Sequence, residues 1–254
     1  MLPGRRAQAW RHQPAFRRPR HFHAEPELNV VCRGSARVGL GDSVVHLTSG
    51  EVILFHPGQD HVLLEASPDL ELWVLALRAD LAARAVDSLT RAASVRCRLP
   101  APVLSALVET LASLESVSDA DTVEMRLVGQ FLQVQGHLST NHVLSRRALQ
   151  AVNADLDTPG AELAQRLGVD PSMLSRQFHE AFAVTFVSYR ARQRAMAFIR
   201  LVDSGLTLTR AATEAGFGSY AQCHRVLTKA FGCPPNRYFA GERVHIDDAI
   251  DVSD

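Results

Sequence analysis

Near the carboxyl end of this 254-residue chain one pattern occurs twice, and it restricts the fold more than any other stretch. From Ala161 to Phe178 the sequence reads as a short helix, a turn and a second helix. Ala164 supplies the small residue that two steeply crossing helices need, and Gly168 tolerates the positive φ of the turn. Leu163, Leu167, Val169, Leu174 and Phe178 fall on one face and close the core between the helices. Asp170 followed by Pro171 is a helix start, an N-cap acceptor and then proline at the first helical position. The second copy runs from Thr209 to Leu227, with Ala212 and Gly216 spaced like Ala164 and Gly168. Its turn is one residue longer, which aligns Cys223 with Leu174 and Arg225 with Arg176.

Between the copies, Phe182 to Val202 lacks Gly and Pro, and Phe186, Tyr189, Ala195, Phe198, Ile199 and Val202 recur near a helical period. At about 1.5 Å per residue, a connecting helix of roughly 18 to 20 residues spans about 28 Å. That length lets the two second helices approach successive major grooves, about one DNA turn apart.

From Ser145 to Tyr238 the sequence resembles the AraC/XylS family of transcriptional regulators. The strongest part is Ala212 to Tyr238, where Ala-x3-Gly-Phe-x-Ser is followed by Arg225 and then by Phe231-Gly232-Cys233-Pro234-Pro235-x2-Tyr238. A lone helix-turn-helix pattern is weak, but the pair with its closing motif is highly specific. Cys223 and Leu227 stand where the family usually has aromatic residues, which implies looser packing and weaker or less selective binding there.

The resemblance implies double-stranded promoter DNA and RNA polymerase as partners. It places Ser172, Met173, Ser175, Arg176 and His179 on the exposed face of the first reading helix, and Tyr220, Ala221, Gln222, His224 and Arg225 on the second. Arg176 is the first choice for a base contact, because a guanidinium bonds both acceptors on a guanine edge. Met173 suits a thymine methyl and Gln222 suits adenine. Arg192, Arg194, Arg210 and Lys229 are expected on phosphates, where they set affinity and salt dependence.

A net charge of zero alone would argue against nucleic acid, but the distribution matters more than the sum. Arg146 to Tyr238 carries twelve basic and seven acidic residues, while the tail after Gly241 carries Asp247, Asp248, Asp251 and Asp254. Cys32, Cys97, Cys223 and Cys233 lack the close spacing of a zinc site or disulfide framework and read as reduced thiols. Without a membrane-length apolar run or signal-peptide core, a cytoplasmic, nucleoid-associated protein is expected.

Residues 1–20 hold six arginines, no acid and three prolines, and are expected to form a basic arm that is solvated, makes an extra phosphate contact or folds as a flap over the pocket of the next domain. From Phe22 to about Leu77, short β-type runs alternate with turn signals such as Gly41-Asp42 and Pro57-Gly58, which suggests a barrel or jelly roll. Within it lies His21-x-His23-x3-Glu27-x6-Gly34, then Gly50-x7-Gly58-x2-His61. This looks like the two cupin motifs, in which two histidines, a glutamate and a later histidine converge on a metal. His21 and His23 share one face of a strand, and imidazoles with one carboxylate suit Fe, Zn, Mn or Ni. A divalent metal, a metal-free pocket for a small-molecule effector and a purely structural barrel all accommodate that set.

Beyond about Asp80, Leu104, Leu107, Val108, Leu111 and Leu114 repeat at helical spacing, as do Val123, Leu127, Val128, Phe131, Leu132 and Leu138, with a cap at Asp121 or Thr122. The resemblance makes this pair the place for a homodimer contact; packing on the barrel is the alternative.

The expected fold is therefore α+β: a basic arm at 1–20, a cupin-like β-barrel sensor at 21–79, a helical coupling region at 80–142, an all-α domain with two helix-turn-helix motifs at 143–240, and an acidic tail at 241–254. The function implied is sequence-specific regulation of transcription rather than catalysis, with activation the commoner role in the resembled family. A cupin metalloenzyme with accessory helices, and a regulator whose barrel only dimerises, are the rivals.

Overall fold

The alternating apolar residues and turn signals of the first third resolve into strands in a computed structural model, which describes residues 6–12, 20–41, 43–78, 96–114, 117, 119–138, 143–231 and 233–240. The strands are β1 (Ala7–Arg11), β2 (Glu27–Arg33), β3 (Ser35–Leu40), β4 (Ser43–Thr48), β5 (Glu51–Phe55), β6 (His61–Ala66), β7 (Glu71–Leu77) and β8 (Arg96–Arg98). They form a five-stranded sheet in the order β1-β7-β2-β5-β8 and a three-stranded sheet in the order β4-β3-β6. Every pairing is antiparallel.

The five-stranded sheet is the middle of three layers, and its sequence shows why. Val31, Ile53, Phe55, Leu72 and Val74 point to one side, where they pack with Ala36, Val38, Leu40 and Leu47 of the smaller sheet. Their neighbours Leu28, Val30, Val52, Leu54, Trp73 and Leu75 point to the other side. A strand buried on both faces reads as a continuous apolar run rather than an alternating one, which accounts for Leu72 to Leu77. The third layer is a helical pair, α1 (Ala101–Leu114) and α2 (Ala120–His137). Its stripe of Leu107, Leu111, Leu114, Val123, Leu127, Phe131 and Val134 joins the same cluster as Leu28 and Trp73.

This packing bears on the dimer expectation. The apolar stripe that suggested a partner is buried within the chain, as the alternative required. On α2, Met125 and Leu132 remain exposed. The α2 cap is Asp119, whose carboxylate accepts from Thr122 N at 2.8 Å, and not Asp121 or Thr122.

Two strands lie outside the span expected for the barrel. β1 falls in the segment read as a basic arm, where Arg5 and Arg6 hide the short alternation of Ala7 and Ala9 on one face with Trp10 on the other. It pairs along its whole length with β7, and the Arg11 guanidinium lies 5.0 Å over the Trp73 ring. β8 is only three residues long and falls in the region expected to be helical; it extends the sheet beside β5. The acidic tail, residues 1–5 and 13–19 of the arm, and residues 79–95 lie outside the described residues.

The carboxyl-terminal helices are α3 (Val143–Ala154), α4 (Gly160–Leu167), α5 (Pro171–Phe182), α6 (Phe186–Asp203), α7 (Leu208–Glu214), α8 (Tyr220–Phe231) and α9 (Pro235–Phe239). α4 has Pro159 at its N-cap position and no side-chain acceptor there; Asp155 closes the turn before it, accepting from Asp157 N at 2.8 Å and from Thr158 Oγ1 at 2.5 Å. Compact packing divides the chain at Phe186/Val187, so the first helix-turn-helix belongs to one unit with the strands and the second to another. No helix among the described residues is long and apolar enough to cross a membrane.

Candidate nucleic-acid interface and barrel pocket

In the first reading unit α4 ends at Gly168, whose φ of 70° sits in the left-handed region and whose N–H closes back on Ala164 and Gln165 carbonyls. The next helix begins where Asp170 Oδ1 accepts from Ser172 N at 2.8 Å and Met173 N at 3.3 Å. These hydrogen bonds hold the Asp170 carboxyl below its usual range, the Ser172 side chain first and the two amides after it. Leu174 and Phe178 are buried against the preceding helices, which turns Ser172, Met173, Ser175 and Arg176 outward. His179 is half-buried on the same helix.

The second unit repeats the geometry with different side chains. Gly216 takes φ 81° at the turn, and Cys223 and Leu227 are buried as Leu174 and Phe178 are. Arg176 is the sixth residue of α5 and Arg225 the sixth of α8, and both are exposed. Tyr220 and His224 are half-exposed, their rings edge to face at 6.3 Å. Gln222 is exposed but engaged: its Oε1 accepts from Gly218 N at 3.0 Å, while Ser219 Oγ accepts from Gln222 N at 3.2 Å. Serine at the cap with glutamine three residues on resembles a capping box, except that the glutamine accepts from Gly218 N, one residue before the cap. Bidentate adenine recognition needs the same Oε1, so it requires release of Gly218.

Among the cations, Lys229 and Arg210 are exposed and Arg192 and Arg194 half-buried on α6. Arg210 Nε lies 2.8 Å from Glu214 one turn along α7. The Arg176 pair with Glu180 is looser, at 3.9 Å. Exposed pairs of this kind contribute little, which leaves both guanidinium groups available to a stronger anion.

The two sheets do not close into a barrel among the described residues, but the cupin-like domain brings all four expected pocket residues together. His21 and His61 bridge adjacent strand segments, and one ring nitrogen from each of His21, His23 and His61 lies within 4.8 Å of the others. Glu27 is buried, with one carboxylate oxygen 3.3 Å from His23 Nε2 and the other 3.7 Å from His61 Nε2. His23 Nδ1 lies 2.7 Å from the Glu25 carbonyl and His61 Nδ1 3.1 Å from the Gln59 carbonyl. A carbonyl only accepts, so each Nδ1 carries a hydrogen and each ring turns its Nε2 toward the pocket. Those two Nε2 atoms are buried and lack an aligned hydrogen-bond partner. Burial pushes the His61 pKa down to about 3, and its ring stacks on Phe55 at 4.0 Å. Burial alone would raise Glu27, but the His23 contact and the charges of His61, His23 and His21 outweigh it and hold the carboxylate ionised. Three imidazoles and a carboxylate brought together in this way form a ligand set that fits a divalent transition metal.

Sequence reasoning overlooked Gln59, which is buried between the pocket and α5. It sits in the Pro57-Gly58 turn, where no periodicity marks a residue as internal.

A two-sheet domain carrying a cluster of three histidines and a glutamate, followed by paired helix-turn-helix units, defines the class: a DNA-binding regulator with a ligand-binding domain. A family model described as an AraC-like ligand binding domain matches residues 2–132, and one described as a helix-turn-helix domain matches residues 163–241. The chain belongs to the AraC family of transcriptional regulators. Among solved structures it is similar to ToxT from Vibrio cholerae O395, with 14% identity, 92% of this chain and 96% of that chain covered, and a TM-score of 0.49. Wild-type ToxT from Vibrio cholerae strain SCE256 bound to an unsaturated fatty acid gives 15%, 91%, 93% and 0.48. The AraC-like transcriptional activator CuxR gives 13%, 82%, 77% and 0.36. Curated protein sequences give no significant match.

Proposed function

We propose that this regulator activates transcription from the cytoplasm, binding promoter DNA through both reading helices with RNA polymerase as partner and answering to a ligand held in the barrel. The observation that carries DNA reading is the shared register of α5 and α8. Each helix buries its fourth residue, Leu174 or Cys223, and exposes its sixth, Arg176 or Arg225. An exposed arginine at one position of two equivalent helices suits guanine edges in the major groove. Ser172, Met173, Ser175, Tyr220, Gln222 and His224 flank these arginines as further base contacts, and Arg192, Arg194, Arg210 and Lys229 serve phosphates. A homodimer would use the outer face of α2, where Met125 and Leu132 are exposed.

For the barrel, His21, His23, Glu27 and His61 would hold a divalent ion such as Fe, Zn, Mn or Ni, or the polar head of a small effector. The buried Nε2 atoms of His23 and His61 support the metal. An ion there supplies a Lewis-acidic centre to which an anionic effector could bind.

The test is selection of genomic fragments by the purified protein near physiological salt, followed by footprinting. Enriched sites with two protected patches about one helical turn apart are expected. Absence of enrichment with and without added metals and metabolites would sink the reading. Metal content and a cobalt(II) ligand-field spectrum, lost in His61→Gln, test the ion separately.

A further inference from the structure

The turn from His56 to His61 joins two sites that are far apart in sequence. On one side it is laced to the segment carrying two pocket histidines: His61 N donates to His21 O at 2.8 Å, His21 N to His61 O at 3.1 Å, and Gly58 N to His23 O at 3.0 Å. On the other side it meets the end of α5. Gln59 is 2% exposed, its Oε1 accepts from His56 N at 2.7 Å, and its Nε2 donates to Phe182 O. The His56 ring stands edge-on to Phe182 at 5.2 Å.

Two further observations show that the helix end is held from outside. A Cβ on Gly41 would lie 1.9 Å from Ala183 O, so the β3–β4 turn reaches α5 only because it carries glycine. That turn is tied to the first through Gly41 N, which donates to Asp60 O at 3.1 Å, and through Arg20, which bonds both Gly41 O and Asp60. Ala183 itself takes φ 52°, the one non-glycine among the described residues in the left-handed region. Such a conformation persists where the surroundings over-determine it.

An α-helix leaves its last carbonyls without intrahelical partners, and Phe182 is the last residue of α5. The donor that serves its carbonyl comes from the barrel. Because both ends of the buried Gln59 amide are committed, the side chain cannot absorb a shift of the turn without leaving a buried polar group unsatisfied. Gln59 also accepts the His61 Nδ1 hydrogen through its own carbonyl. One residue therefore orients a pocket ring and caps the first reading helix.

We propose that Gln59 is the positioning residue that couples the barrel pocket to the first reading helix. Capture of a ligand by His61 changes how firmly the segment from Phe182 to Val184 is held, and so shifts the population of DNA-competent states. The coupling rests on the pocket reading given above, but its path through Gln59 can be tested separately.

The experiment is amide hydrogen exchange across residues 178–186 of the full chain, with cobalt(II) as the probe of the pocket. Gln59→Met removes the amide at similar volume. Gln59→Glu keeps the acceptor for His56 N and removes only the donor to Phe182 O. Both variants are expected to speed exchange at Phe182 and Ala183 about fivefold to tenfold, the loss of one hydrogen bond. Cobalt should alter exchange of this segment in the unsubstituted chain and leave it unaltered in both variants, which still show the cobalt spectrum. In metal-free protein, His61→Ala should move the segment when Gln59 is present and fail to move it in Gln59→Met. Unchanged exchange in both Gln59 variants, or cobalt and His61 effects that persist undiminished in them, would overturn the coupling. An unsubstituted chain that takes up no cobalt, while His61→Ala still moves residues 178–186, would refute the metal alone and leave the path through Gln59 standing.

Discussion

In the first reading unit the space behind the helix is filled by rings: Phe178 stacks on Phe186 at 4.0 Å and meets Phe182 at 4.8 Å. In the second unit the reading helix contributes Cys223 and Leu227 at the equivalent positions, and the buried rings Tyr189, Phe198 and Phe217 come from outside that helix. Both interiors are closed, since Leu174 and Phe178 are no better buried than Cys223 and Leu227. Small residues at these positions have therefore left no opening to solvent. What differs is the apolar area that the reading helix itself removes from water, because a buried ring contributes about 150–250 Å². The first unit gains from that area and from a cap supplied by the barrel. The second unit should be the less stable of the two and the first to open locally.

The largest effect expected on this contrast comes from Phe178→Ala, which removes the ring that touches both aromatic neighbours. A cost of about 3–5 kcal/mol is expected, read from the denaturant midpoint of the helical signal. A cost no greater than that of Cys223→Ala would mean that the rings are not what separates the units. The converse change, Cys223→Phe, restores an aromatic residue of the kind the family usually carries. If the second interior has closed around the smaller side chain, overpacking costs about 1–3 kcal/mol. A gain in stability would show instead a pocket waiting to be filled.

A third test reads opening directly. Burial pushes the Cys223 thiol up to about 12, so almost no thiolate forms at neutral pH in the closed state. In a variant retaining only Cys223, alkylation should proceed through opening of α8 and accelerate in mild denaturant well before global unfolding. Labelling that tracks global unfolding would equalise the two units.

The same contrast shows what the chain discloses before folding. The paired readers were legible because Ala164-x3-Gly168 and Ala212-x3-Gly216 record a backbone demand, a close crossing and a positive φ, that few other residues meet. His21, His23, Glu27 and His61 were legible because a ligand set is a matter of residue type and strand period. The strands β1 and β8 were not: the first is short and sits among arginines, and three residues carry too little period to announce the second. Gln59 was hidden for a different reason. Its importance lies in being buried at a contact between segments more than a hundred residues apart, and no local pattern encodes such a contact. The helical stripe of α1 and α2 was visible, but periodicity reports that a face is covered and not by what. The sheet carrying Leu28 and Trp73 supplied the cover.

On DNA the two units should separate by kind of contribution. Arg176→Ala is expected to cost about 1–3 kcal/mol at the specific site and to relax one base position. Arg225→Ala should do the same at a second position if the shared register carries a shared role. Equal loss on every sequence, for either arginine, would make it a phosphate contact.

The smallest effect, and the finest discrimination, falls on Gln222. Its amide is chemically suited to adenine, yet its Oε1 already accepts from Gly218 N at the start of α8. An exposed cap contributes about 1 kcal/mol, while a bidentate adenine contact discriminates by about 1–3 kcal/mol. Because one oxygen cannot serve both fully, the net gain from reading adenine is reduced by the loss of the cap. Gln222→Ala is therefore expected to destabilise α8 by about 1 kcal/mol, seen as faster amide exchange at Tyr220 to Cys223, with base preference unchanged. If base preference relaxes at one adenine while exchange is unaltered, the cap is given up on binding. The second reader would then select sequence with a residue that the first reader, with Met173 at the matching position, does not possess.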